Sequence, residues 1–155
     1  MPFVLLLLLA WISAAIRLVP PASEGLTLHR TVEIVLSHML VLNAGVGSLL
    51  LFIGHLVRAD EVARSLGWPT GTGFQKEVAF ASLGLGILGV LSIWFRNDFW
   101  TATVVAFAVF YLGATWVHFT DPASRDTRSR LSVFLYSNIV TALLFLGLLA
   151  IHKLR

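Results

Sequence analysis

Cysteine is absent from this 155-residue chain, and charge is scarce. Without a thiol there is no disulfide, no thiolate metal site and no cysteine nucleophile, although the absence points to no particular compartment. Charged residues make up 12% against 57% hydrophobic, which is too little polar surface to keep a soluble domain of this size in water. The formal charge of +3 rests on a few groups gathered in short links. That pattern fits loops beside an anionic membrane surface and argues against a nucleic-acid footprint. Nucleotide and hydrolase signatures are missing too. Gly71-Thr72-Gly73 lacks the G-x-x-x-x-G-K-[ST] pattern and follows no predicted strand, and Ser65, Ser82 and Ser137 sit in no nucleophile elbow.

What the chain has instead is long apolar runs, with a mean hydropathy of +0.87. Five of them, at about 3–19, 31–57, 78–95, 99–119 and 131–151, read as helices able to cross a hydrocarbon core of about 30 Å at about 1.5 Å per residue. The expected fold class is all-α: an integral membrane helical bundle of five transmembrane helices in a single domain over 1–155. Ser13-Ala14-Ala15 resembles a signal-cleavage site, which would leave four spans, but no Lys or Arg precedes the first run, so a retained helix is expected.

The links carry their own signals. Pro20 and Pro21 end the first run. Ala59 to Leu66 reads as a short surface helix, with Asp60 and Glu61 early, Arg64 late and Gly67 as terminator. Thr72 and Gln75 have capping-box spacing, so a helix is expected to start near Gly73 with Glu77 by its positive end. Trp94 and Trp100 flank the tight Arg96-Asn97-Asp98 link, as aromatics at a membrane interface would. Six Lys and Arg (Arg58, Arg64, Lys76, Arg125, Arg128, Arg130) fall on one side against five (Arg17, Arg30, Arg96, Lys153, Arg155) on the other, and the Arg125 to Arg130 group leans the first side towards the cytoplasm.

Packing faces follow from helical spacing. Asn43, Gly47 and Gly54 share one stripe, with Ala44 and Ser48 beside it, and Ser82, Gly86 and Gly89 form another that Gly84 widens. Asn43, near the middle of its run, is expected to face another helix, because a bare amide in hydrocarbon is costly. Tyr111, Thr115 and His118 make a polar stripe on the fourth run.

Alternating spans bring His55, Glu77, His118 and Asp121 to similar depth at one membrane surface. Two imidazoles and two carboxylates suit a first-row divalent metal. The plainer reading makes the histidines interfacial residues and Glu77 a partner of the helix dipole. A haem between two His ligands is a further reading. His38 and His55 lie about 25 Å apart along one helix, so only His55 with His118 could hold one iron.

Gly67, Trp68, Pro69, Gly71, Phe74, Gln75 and Glu77 give the chain a link that resembles one in a family of small bacterial multi-span membrane proteins of unknown function. The likeness continues through Leu83 to Gly89, Phe99-Trp100, His118 and Asp121, about the middle half of the chain. It departs at Thr72-Gly73, where the family often has Ser-Pro. The resemblance implies a membrane bundle in a bacterial cytoplasmic membrane and directs attention to Glu77 and His118, but supplies no reaction.

With catalytic groups sparse and smooth glycine faces plentiful, the first expectation is a non-enzymatic accessory or assembly subunit in a homo-oligomer or larger membrane complex. A metal- or haem-binding protein is the alternative, and a small transporter with Asn43, Tyr111, Thr115 and Asn138 as a polar path is the third.

Overall fold

The structure, a computed structural model, describes residues 2–18, 27–126 and 128–154, the side chains of residues 2, 3 and 128–130 excepted. Helices run α1 (Pro2–Arg17), α2 (Leu28–Met39), a π segment (Leu40–Gly47), α3 (Ser48–Val57), α4 (Ala59–Leu66), α5 (Phe74–Leu91), α6 (Asp98–Thr120), a 3-10 turn (Pro122–Ser124) and α7 (Arg128–Lys153). No strand occurs among the described residues. Pro20 and Pro21 lie outside them.

Four helices are long and apolar enough to cross a membrane: Leu28–Val57, Phe74–Leu91, Asp98–Thr120 and Leu131–Lys153. α1 is apolar but shorter, so the first of the five expected runs falls below the length of the others. The Leu28–Val57 helix is continuous through the π segment, whose wider turn changes which residues share a face.

The local signals around α4 hold. Gly67 adopts φ 77° at its C-terminus, and the Trp68 N–H donates back to the Ala63 carbonyl at 2.9 Å, the αL termination that glycine makes easy. The Gly71 N–H then donates to the Asp60 carboxylate at 2.9 Å and ties the link to α4. The expected capping box does not form: α5 starts after Gly73 with no side-chain cap, and Gln75 is buried instead of reaching back. Trp100 is also buried, its indole N–H donating to the Ser92 carbonyl at 2.9 Å, while Trp94 stays exposed as expected.

The tightest packing sets the π segment and α3 against α5. A Cβ on Gly89 would run into the backbone of Ala44 and Gly45, and one on Gly86 would come within 2.8 Å of the Leu49 side chain. Gly54, expected on a packing face, has nothing within 4 Å of where a Cβ would stand, and neither has Gly84. Gly54 stands in the last turn of α3, beyond the Ala44 to Leu49 stretch that meets Gly86 and Gly89. Gly47 and Ser82 are buried as expected, Ser82 donating to the Val78 carbonyl at 2.8 Å.

A second relation, between the Leu28–Val57 helix and α6, organises the interior. Arg96 bonds Glu33 and Tyr111 bonds Ser48, both 63 residues apart. His118 and His55, at the same separation, lie within electrostatic reach of each other. One constant offset at three levels means that the two helices run parallel and in register.

Candidate functional site at the His118 end

α6 delivers His118 to the end of the fold where α4 and α5 meet. Its ring lies flat on the Trp68 indole, with centroids 5.0 Å apart and planes 8° apart, and its Nδ1 stands 3.5 Å from the Ser124 hydroxyl. Ser124 in turn donates to the Leu66 carbonyl at 3.3 Å, which ties the 3-10 turn to α4. His55 is buried nearby and its Nδ1 donates to the Leu51 carbonyl at 3.0 Å, so Nε2 is the ring nitrogen left to accept.

The four expected site residues therefore separate. His55 and Asp121 each lie within electrostatic reach of His118. The Asp121 carboxylate accepts from the Ala123 N–H at 2.9 Å, capping the 3-10 turn. Glu77 is exposed, and its place at the start of α5 is the dipole position. Among the described residues no three His, Asp or Glu side chains gather closely enough to hold a metal ion.

Trp68, Gln75 and Ser124 join this site without having been singled out as candidates. Trp68 and Gln75 do belong to the distinctive link, whereas Ser124 sits in a polar stretch with no signal of its own. A cleft of about 500 Å³ opens here, lined by Trp68, Phe74, Gln75, Val117 and Asp121. Gln75 is 2% exposed with its Oε1 unpartnered, and the Trp68 Nε1 is buried and unpartnered as well.

From this cleft a file of buried polar side chains descends between the parallel helices. One helix contributes His55, Ser48 and Asn43, and α6 contributes His118, Thr115 and Tyr111. Ser48 and Tyr111 close on each other at 3.1 Å. Asn43, fully buried, has neither its amide oxygen nor its amide nitrogen bonded, and Thr115 Oγ1 is also unpartnered. On α7, buried Asn138 keeps an unpartnered Oδ1. Beyond Asn43 the interior turns apolar, with Leu36, Met39, Leu40, Val104, Phe107 and Phe145 in one cluster.

Neither a curated protein nor a solved structure matches the chain. The model of one family of unknown function, DUF6790, matches residues 1–155 in full, and the chain belongs to that family.

Proposed function

We propose that this chain is a non-enzymatic membrane protein that admits a small, uncharged hydrogen-bonding solute from its His118 end into a polar recess inside a helical bundle. Asn43 carries the reading. A buried amide with no partner is costly in a lipid-bounded interior, and such groups in folded proteins are ordinarily satisfied by water or a ligand. Thr115 repeats the pattern one turn beyond Tyr111, and Gln75 repeats it at the cleft.

The file stops at the apolar cluster around Phe107 and Phe145, which makes it a one-ended recess, closed towards the Arg96 end in this conformation. No Asp, Glu, Lys or Arg is buried among the described residues, so the recess favours neutral cargo. In this reading the four long helices cross the membrane, and α1, packed against α2 and the π segment, forms a shorter fifth crossing with Arg17 reaching for the interface.

The accessory-subunit reading leaned on smooth glycine faces free to meet a partner. Gly86 and Gly89 are taken up within the chain, against Leu49, Ala44 and Gly45, which narrows that support to open glycines such as Gly54 and Gly84. The electrostatic reach of His55 to His118 keeps haem as a second reading, and a Soret band from intact purified protein, lost in His118→Ala, is its test.

Asn43→Leu, which keeps the volume, tests the main reading in detergent and in proteoliposomes. If the recess is filled, the variant loses about 1 kcal/mol of stability and slows glycerol or urea entry followed by stopped-flow light scattering. Higher stability together with unchanged solute entry sinks the proposal.

A further inference from the structure

The polar file has a chemical preference of its own, which rests on the reading that the file admits a solute. At the cleft, two wall residues each keep a buried polar atom without a partner: the Trp68 indole N–H, which can only donate, and the Gln75 carbonyl oxygen, which can only accept. Further in, ring contacts set α6 and α7 in antiparallel register. Trp100 lies beside His152, Phe107 beside Phe145 and Phe119 beside Tyr136, with centroids 5.7, 4.9 and 6.4 Å apart. That register puts Asn138 on α7 level with Thr115 on α6, so the unpartnered Asn138 Oδ1 and Thr115 Oγ1 share one depth between the cleft and Asn43. Side-chain amide oxygens without a donor therefore mark three depths: Gln75 at the cleft, Asn138 within and Asn43 at the closed end. Among the described residues, the buried N–H groups left unmet along the same route belong to Trp68 and Asn43.

We propose that the file selects ureas and small primary carboxamides over polyols. A carbonyl oxygen is satisfied only by a donor, and an amide NH2 supplies two N–H groups while adding no acceptor of its own. The single carbonyl of such a solute takes the Trp68 N–H at the cleft and the Asn43 NH2 at the closed end. Thr115 serves either way, because a hydroxyl both donates and accepts. A polyol can also donate to the amide oxygens, but each of its hydroxyls carries two lone pairs into an interior where donors are scarce, and an acceptor left bare there is costly. Shape works in the same direction. Urea and acetamide are rigid and planar, so fixing them between two walls costs less conformational freedom than fixing glycerol.

Stopped-flow light scattering of proteoliposomes holding the full chain, corrected for protein-free vesicles, tests the preference with urea, acetamide and glycerol. The two amides are expected to enter about tenfold faster than glycerol, the ratio set by one buried polar group left unpaired. Gln75→Leu removes the first amide at similar volume and should narrow that ratio about threefold, the lower end for a single hydrogen bond. The variant also loses an unmet buried atom, so a thermal melt should show it at least as stable as wild type. A second measurement reads the cleft itself: the indole N–H resonance of Trp68, assigned by its loss in Trp68→Phe, should shift saturably with acetamide and much less with glycerol at the same concentration. Equal entry of the three solutes, or faster glycerol, overturns the preference and leaves the recess standing. An unchanged ratio in Gln75→Leu, or an indole shift no larger with acetamide than with glycerol, overturns it as well. Entry of no solute above the rate of protein-free vesicles overturns the preference and the recess together.

Discussion

Tyr111 shows how much one hydroxyl can fix in an interior of this kind. It is 1% exposed, its ring stacks on Phe107 with centroids 4.1 Å apart, and its OH meets Ser48 at 3.1 Å. The ring contact keeps it in place whether or not the hydroxyl is present, so Tyr111→Phe isolates the polar contact. The expected outcome is a loss of about 1 kcal/mol in reversible unfolding in mild detergent, with the helical content unchanged. Trp68 works differently. Its stack on His118 and its edge-to-face contact with Phe74, at 5.4 Å, cover the cleft end of the polar file. Removing the ring in Trp68→Ala is expected to lower stability by about 2 kcal/mol, below the range for a fully buried Trp because this one is half-buried, and to speed solvent exchange at His118 measured by NMR. Loss of stability without a change at His118 would show that the indole serves packing alone. At this scale the sequence was readable where chemistry is local: the stripe of Tyr111, Thr115 and His118 is buried along its length. It misled where a choice between neighbours depends on tertiary contact. Glu77 and Gln75 differ by two positions, and only the packed fold decides that the amide turns inward and the carboxylate outward.

Among the elements, the π segment decides most. Eight residues, Leu40 to Gly47, wind more widely than an α-helix. Ala44 and Gly45 consequently face Gly89, while Asn43 and Ser48, five residues apart, follow each other along the polar file. An amphipathic reading at 3.6 residues per turn cannot anticipate this, since nothing in Leu40-Val41-Leu42-Asn43 departs from ordinary helical composition. The stripe on α5 was legible because α5 is regular: Ser82, Gly86 and Gly89 are all buried, and the two glycines carry the closest approach. A pair of substitutions separates the two faces of that helix. Gly89→Ala drives a methyl into the backbone of Ala44 and Gly45, which has no rotamer to yield, and should destabilise by about 3 kcal/mol, the upper end of the overpacking range. Gly84→Ala adds its methyl to open space and should match wild type or gain slightly, since alanine favours helix. Thermal unfolding of the two proteins in the same micelle decides it, and equal midpoints would mean that the π segment and α5 do not approach as closely as described.

For the molecule as a whole, the constant offset between the Leu28–Val57 helix and α6 is the organising constraint. Hydropathy located both helices, and the alternation of spans implied that they run in the same direction. Their lateral register was invisible, because it arises from pairs 63 residues apart that no local pattern connects. The ion pair at the Arg96 end does little to enforce it. Arg96 and Glu33 pair in a substantially exposed position, where such a pair is worth less than about 1 kcal/mol. Register must therefore come from the interior, through Tyr111 with Ser48 and the apolar cluster around Phe107. The absence of native cysteine makes this open to a clean test, since any introduced thiol is the only one present. With His55→Cys and His118→Cys in one chain, a short bifunctional thiol reagent should close an intramolecular cross-link in membranes. With Ser48→Cys and His118→Cys it should not, because seven residues of mismatch separate those thiols by about 10 Å along the helix axis. Equal cross-linking of both pairs would mean that the two helices slide past each other, and the polar file between them would then lose the fixed walls that a solute recess requires.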